Sequence, residues 1–178
     1  MFFADAAHFV RGAFLAYLWC LVRWVVPTGA GRHRYSVLGA LDATTRTLIR
    51  ETTDGTVTEI TAGRLLLKIR AAHPTGRITV VWDNARYQHT PLVRAVAAFT
   101  RIDLVYLPPY SPNLNLIERV WKFVKKKALA NRPFADFPAF KAAIDDTLDR
   151  LGTTHRAAMA SLLTLRFETL HPASNSTA

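Results

Sequence analysis

The sequence predicts an α/β protein built on a mixed β-sheet flanked by helices. Helical segments alternate with strands only in the second half of the chain, which indicates both parallel and antiparallel strand pairs. The run ITVVW at residues 78–82 is rich in β-branched side chains, as in a strand buried on both faces of a parallel sheet. Strand-length runs at 35–41 and 47–52 surround a turn near Asp42 and predict an antiparallel hairpin.

Local patterns predict the other elements of the first half of the chain. Residues 1–10 are expected to form a short buried strand, and the apolar stretch 13–22 a core strand. Apolar residues recur at helical spacing over residues 58–72, and Pro74 and Gly76 end that helix.

Capping and proline signals mark the helices of the second half. A strand is expected at 102–107. Residues 1–150 are expected to form one domain, followed at 151–178 by a helical extension and a disordered tail. The expected helix starts are Thr90 with Pro91, a position near Asn113 or Asn115, and Asp136.

Charge and cysteine content restrict the class of protein. The net charge is +10, which favours a polyanionic partner such as nucleic acid or an acidic membrane. The stretch 13–22 is interrupted by Arg23 and is shorter than the roughly 20 residues of a membrane-spanning helix. A single cysteine, Cys20, excludes a disulfide within the chain and suits a cytoplasmic location.

Three acidic residues occupy positions where a carboxylate needs an explanation. Asp5 lies within an apolar strand, so it must be paired, hydrogen-bonded or metal-bound. Asp83 follows a buried strand, either in a ligand cleft or in an ordinary turn. Glu118 lies one turn into a helix, where it could instead cap towards Asn115 or pair with Lys122.

Taken together, the three carboxylates predict a metal site. Clustered carboxylates repel one another unless cations neutralise them, and an oxygen-only ligand set suits a pair of Mg²⁺ or Mn²⁺ ions. Such a pair, held by Asp5, Asp83 and Glu118, would explain phosphodiester cleavage by a strongly basic chain.

Residues near these acids are candidates for contacts with nucleic acid. Asn84 and His89 follow Asp83 closely, whereas His8 is expected on the opposite face of its strand from Asp5. A basic helix face after Glu118 could hold phosphates or could simply be solvated, and it comprises Arg119, Lys122, Lys125, Lys126 and Lys127. The tryptophans Trp24, Trp82 and Trp121 are expected to pack in the core.

Two sequence blocks resemble a known family. VVWDNARYQH at 80–89 and LVYLPPYSPNLNLIERVWKFVKKK at 104–127 are similar to the second and third catalytic blocks of mariner-like insertion-sequence transposases, members of the DDE endonuclease superfamily. The 34 residues between Asp83 and Glu118 are similar to the spacing in that superfamily. Residues 1–10 resemble the first block, and GAL at 39–41 matches the hairpin that follows it.

The resemblance covers about residues 1–150 and implies an RNase H-like fold. It places Asp5 and Asp83 on adjacent central strands and Glu118 on the helix after the last strand. It further implies cleavage of transposon ends, transfer of the 3′ end to target DNA, and a homodimer on DNA. A general RNase H-like nuclease, and an inactive remnant or DNA-binding accessory protein, are the alternatives.

The chain departs from the family pattern at two places. Leu116 replaces the proline that usually precedes the Ile-Glu pair, which should alter the helix cap more than the metal site. Such transposases also carry helix-turn-helix domains before the first catalytic strand, and we expect none ahead of Asp5.

Overall fold

A computed structural model describes residues 1–12, 33–108 and 114–164. The described residues form a five-stranded sheet with the order β3-β2-β1-β4-β5. The strands are β1 (Phe2–Val10), β2 (Arg34–Asp42), β3 (Leu48–Thr53), β4 (Ile78–Trp82) and β5 (Ile102–Tyr106). The predicted mixed sheet, the hairpin and the strand at 78–82 are confirmed. The expectations for 13–22, Trp24 and the tail lie outside the described residues.

Strand β1 lies at the centre of the sheet and has a different kind of neighbour on each side. It pairs antiparallel with β2, from Phe2 opposite Asp42 to Val10 opposite Arg34. On its other side it pairs parallel with β4, and β4 pairs parallel with β5. A residue in the middle of β1 therefore lies close to both halves of the chain.

Helices cover both faces of the sheet in the described part of the chain. They are α1 (Glu59–Ala72), α2 (Pro91–Thr100), α3 (Ile117–Val124), α4 (Phe137–Asp149) and α5 (Arg156–Leu162). A 3₁₀ turn spans Arg86–His89, and a π-helical turn at Lys125–Leu129 continues α3. None of these helices is long and apolar enough to cross a membrane.

Capping explains where the helices begin. The Thr90 side chain accepts a hydrogen bond from the Val93 amide, and the Asp136 carboxylate accepts one from Ala139 at 2.7 Å. Helix α3 begins at Ile117, later than the expected start near Asn113 or Asn115. Asn115 does not cap this helix, because its side-chain amide donates to the Ala4 carbonyl, and Leu116 at the cap position has no side-chain acceptor.

Alternation along β1 divides the core into two layers. Phe2 and Ala4 pack with α1 and α2, whereas Phe3, Ala7 and Phe9 pack with α3, α4 and α5. Asp5, like Phe3, Ala7 and Phe9, is an odd-numbered residue of β1, so its side chain lies on the face of the sheet that α3 covers. Trp82 and Trp121 are both buried, as predicted.

Candidate active site

Strand pairing brings Asp5 and Asp83 to the same region of the sheet. Phe2 lies opposite Val80 and Phe3 opposite Val81 in the parallel pair β1 and β4. The same offset, continued along both strands, puts Asp5 beside Asp83, immediately after the last residue of β4. The two residues therefore lie on adjacent central strands.

Helix α3 is fixed to β1 on both sides of Glu118. The Asn115 side-chain amide donates to the Ala4 carbonyl at 3.1 Å, and the Trp121 indole N–H donates to the Asp5 carboxylate at 3.0 Å. Residues three apart lie on nearly the same side of a helix. Glu118, between these two anchors, is therefore directed towards the region of Asp5.

The electrostatics of Asp5 show that it lies within range of the charges of both Asp83 and Glu118. Asp5 is only 7% exposed. Burial is the largest cause that raises the pKa of Asp5 to about 7, followed by the negative charges of Asp83 and Glu118. Hydrogen bonds from the Ala6 backbone and Trp121 oppose that rise. Asp5 is thus the buried member of an acidic group whose other members are more accessible to solvent.

The three carboxylates do not form a closed metal cage. Among the described residues, no three His, Cys, Asp or Glu side chains are grouped closely enough to hold a metal ion as they stand. Asp5 and Asp83 are instead hydrogen-bonded to neutral donors, Trp121 and Gln88. The structure brings Asp83 and Glu118 within electrostatic range of Asp5, short of shared coordination among the described residues.

The chemistry of these side chains nevertheless fits a hard divalent cation. Carboxylate oxygens are the ligands that Mg²⁺ and Mn²⁺ prefer. A cation would offset both the burial of the Asp5 charge and its repulsion by Asp83 and Glu118, the two effects that raise the pKa of Asp5. In addition, the side-chain oxygen of Asn115 is buried and has no hydrogen-bond partner among the described residues. Buried acceptors of this kind normally receive a hydrogen bond, from ordered water where no protein donor is available.

Gln88 is a site residue that the sequence analysis missed. Its side chain is fully buried. Its amide nitrogen donates to the Asp83 carboxylate at 2.5 Å, and its amide oxygen accepts from the Ala85 backbone at 3.0 Å. The Tyr106 hydroxyl donates to the Gln88 carbonyl at 3.1 Å. Gln88 therefore holds the loop after β4 and orients Asp83; no sequence periodicity marks such a loop residue.

Asn84 and His89 lie in the same loop and contact each other. The His89 ring nitrogen Nε2 is 2.5 Å from the Asn84 side-chain oxygen, and the His89 ring stacks on Tyr106 with 4.2 Å between centroids. Asn84 has a left-handed backbone with a φ of 75°. His8 lies elsewhere, with its Nδ1 atom 2.8 Å from the Ser36 hydroxyl.

The basic residues after Glu118 differ in their surroundings. Arg119 donates to the carbonyls of Leu162 and Thr164 at 3.0 and 2.7 Å, and so holds the end of α5 against α3. Lys122 and Lys126 are exposed, and Lys125 is half-buried. These exposed lysines remain accessible to a phosphate backbone.

A family comparison agrees with this geometry. A family model described as "DDE superfamily endonuclease" matches residues 1–141. The chain belongs to the DDE endonuclease superfamily. The resemblance to this superfamily predicted from the two catalytic blocks is thereby confirmed.

Individual relatives share the fold at low sequence identity. A Mos1 strand transfer complex has a TM-score of 0.61 at 16% identity, covering 94% of this chain and 55% of that one. A Mos1 mariner paired-end complex with Mn has a TM-score of 0.63 at 15% identity, with coverage of 94% and 56%. The HTLV-2 integrase catalytic core domain with magnesium, in a dimeric form, has a TM-score of 0.57 at 13% identity and 86% coverage of both chains. The predicted RNase H-like fold is confirmed.

One curated relative has a higher sequence identity than these structures, over a shorter stretch of the chain. It is the uncharacterized protein y4pE/y4sA of Sinorhizobium fredii, 34% identical over 68 residues, or 38% of this chain and 48% of the relative. The chain spans about half the length of the curated relative and of the Mos1 chains that it matches.

Proposed function

We propose that this chain is the catalytic domain of a DDE transposase. Residues 1–150 form the catalytic unit, which cleaves DNA at transposon ends and joins the freed 3′-hydroxyl to target DNA. The observation that carries the proposal is Asp5, whose pKa is raised by burial and by the charges of Asp83 and Glu118, in a chain of net charge +10. A cluster that is costly without cations, in a chain that attracts polyanions, suits phosphodiester chemistry.

Asp5, Asp83 and Glu118 would hold a pair of Mg²⁺ or Mn²⁺ ions. When bound, such ions supply an activated water or 3′-hydroxyl nucleophile and stabilise the leaving oxygen. Asp5 offers a carboxylate from the centre of the sheet, and Glu118 reaches the same region from α3. The Mos1 paired-end complex named above is described with Mn and the HTLV-2 integrase core with magnesium, which supports the choice of metal.

The DNA partner would lie along the basic residues that follow Glu118. Lys122 and Lys126 are exposed, Lys125 is half-buried, and Arg119 also bonds to the Leu162 and Thr164 carbonyls. Asn84 and His89, which follow Asp83, would contribute from the neighbouring loop. Phosphate contacts of this kind fix the position of DNA without reading its sequence. A homodimer on DNA is part of the proposal. It is supported by the Mos1 structures described as paired-end complexes and by the HTLV-2 integrase core described in a dimeric form.

A DNA-binding protein without cleavage activity is the second candidate. It is favoured by the absence, among the described residues, of three ligand side chains already grouped around a metal position. The two candidates differ in whether the chain binds divalent cations at Asp5 and Asp83.

Nicking of supercoiled plasmid by the full chain tests the proposal. We expect nicking that requires Mg²⁺ or Mn²⁺, stops with EDTA and is lost in Asp83→Asn. Asp146→Asn is the matched control, since Asp146 is an exposed carboxylate that pairs with Arg150 on α4. Nicking that persists in Asp83→Asn would remove the catalytic assignment.

Transfer of a DNA end distinguishes a transposase from a general nuclease. A labelled duplex that carries the element's pre-cut terminal sequence is incubated with plasmid, the chain and Mn²⁺. Covalent joining of the label to the plasmid supports the transposase, whereas nicking without joining supports the general nuclease.

A further inference from the structure

We propose that Trp121, seated over Gly39, is a positioning residue that holds the Asp5 carboxylate for the cations. This inference rests on the proposed metal site. Trp121 packs in the apolar core, as its neighbours in sequence predict. The proposal adds a second role, which is to orient Asp5.

The contact between Trp121 and Asp5 is buried on both sides. Trp121 is 2% exposed and Asp5 is 7% exposed, and the indole N–H donates to Asp5 Oδ2 at 3.0 Å. A buried carboxylate with few donors is free to rotate between orientations, whereas a buried directional donor fixes one of them. Partners that orient a metal-binding side chain are known to affect metal affinity strongly.

Gly39 provides the space that the indole needs. It is the register partner of Asp5 in β2, so it lies directly beside Asp5 on the sheet. A Cβ atom at this position would be 2.7 Å from Trp121 Cη2 and 2.9 Å from Cζ2, closer than real Cβ contacts allow. The absence of a side chain at residue 39 therefore lets the ring lie across β2 and reach Asp5.

Trp121 also connects the two secondary-structure elements that carry Glu118 and Asp5. It lies three residues after Glu118 on α3, while Asp5 lies on β1. Its hydrogen bond therefore connects the element that carries Glu118 with the strand that carries Asp5. A phenylalanine could fill much of the same apolar space but could not make this connection.

Trp82 shows that burial of an indole does not by itself require such a bond. Its side chain is fully buried in the opposite core layer, and its Nε1 atom has no partner among the described residues. Replacement of either tryptophan by phenylalanine is therefore the same chemical change. In Trp121→Phe it removes a hydrogen bond to a carboxylate, whereas in Trp82→Phe it does not.

Mn²⁺ binding to the full chain, measured by electron paramagnetic resonance of free Mn²⁺, tests the proposal. We expect Trp121→Phe to raise the Mn²⁺ dissociation constant about tenfold, as for other residues that orient metal ligands. Trp82→Phe should leave the constant within about twofold of wild type. Thermal unfolding of each variant shows that binding is measured on folded protein. A Trp121→Phe constant within about twofold of wild type overturns the proposal.

Gly39→Ala tests the same contact without altering Trp121. The added methyl group should displace the indole and weaken Mn²⁺ binding, and its effect should not add to that of Trp121→Phe in the double variant. Additive effects would show that Gly39 does not act through Trp121.

Asp5→Asn separates this inference from the proposed function. If wild type and Asp5→Asn bind Mn²⁺ equally, the metal site itself is wrong and both ideas fail. If Asp5→Asn abolishes binding while Trp121→Phe does not change it, only the positioning role of Trp121 fails.

Discussion

The side-chain amide of Gln88 donates a 2.5 Å hydrogen bond to the carboxylate of Asp83. Gln88 is fully buried although Asp83 is exposed, so the bond joins the protein interior to the carboxylate at the end of β4. The amide oxygen of Gln88 is occupied by Ala85, which fixes the direction of the donor. The orientation of Asp83 is therefore set from inside the fold.

Replacement of Gln88 should affect both stability and the acidic group. Gln88→Leu removes the donor to Asp83 and leaves the Ala85 amide without its acceptor, at a cost of about 1–3 kcal/mol in the free energy of unfolding. Metal-dependent plasmid nicking should fall as well. Urea unfolding and nicking assays measure the two effects. A Leu variant with wild-type nicking would show that Gln88 supports only the loop.

The raised pKa of Asp5 predicts how stability depends on pH. The pKa is about 7 in the folded chain against an ordinary value of 3.8, so between these pH values the folded state binds more protons than the unfolded state. Stability without divalent cations should therefore fall as pH rises from about 4 to 7, by up to about 4 kcal/mol at about 1.4 kcal/mol per pKa unit.

Urea unfolding of wild type and Asp5→Asn across this pH range measures that decrease. The difference in free energy of unfolding between the two proteins should change with pH, because the asparagine does not ionise. A difference that stays constant from pH 4 to 8 would contradict the raised pKa.

Divalent cations should stabilise the folded chain at pH 8. A ligand that binds only the folded state at 100 times its dissociation constant contributes about 2.7 kcal/mol. Thermal unfolding with and without Mn²⁺ should show this rise for wild type, a smaller rise for Asp83→Asn and an unchanged rise for Asp103→Asn. Asp103 pairs with Arg77 at the exposed surface, away from the acidic group. Equal shifts in all three proteins would indicate binding elsewhere.

The exposed lysines after Glu118 should contribute to DNA affinity by neutralising phosphates. Lys122→Ala combined with Lys126→Ala should weaken binding to duplexes of any sequence. It should also reduce the slope of log K against log salt by about 0.9 for each phosphate that is no longer neutralised. Fluorescence anisotropy at several salt concentrations measures both quantities.

Lys68→Ala is the control for the lysine variants, since Lys68 lies on α1 and pairs with Glu51. It removes a positive charge from a different face of the fold and should change DNA affinity much less. An effect of Lys68→Ala equal to that of the double variant would show that DNA affinity depends on the net charge of the chain and not on the lysines after Glu118.

The fold was predictable where local patterns determine it. The strand at 78–82 has the expected bounds, and the hairpin strands lie within one residue of theirs, because their apolar and turn residues are contiguous in sequence. The helix cap at Thr90 was predictable for the same reason, because the capping threonine and Pro91 are adjacent in sequence. The acidic residues were identifiable because a carboxylate such as Asp5 within an apolar strand is energetically unusual.

The surroundings of the site depended on contacts between distant segments. Asn115 was expected as a helix cap, but its amide bonds Ala4, 111 residues away. The link from Trp121 to Asp5 spans 116 residues, and the space at Gly39 comes from strand pairing. Gln88 has a short-range partner, yet its burial depends on how the loop packs against Tyr106. No local pattern encodes such contacts.

The central place of β1 determines when the chain can acquire its acidic group during translation. Strand β1 leaves the ribosome well before its parallel neighbour at 78–82, and Glu118 follows later still. Pairings between segments so far apart in sequence close late and slowly. A nascent polypeptide shorter than this span therefore lacks Glu118 and cannot assemble the complete set of three carboxylates.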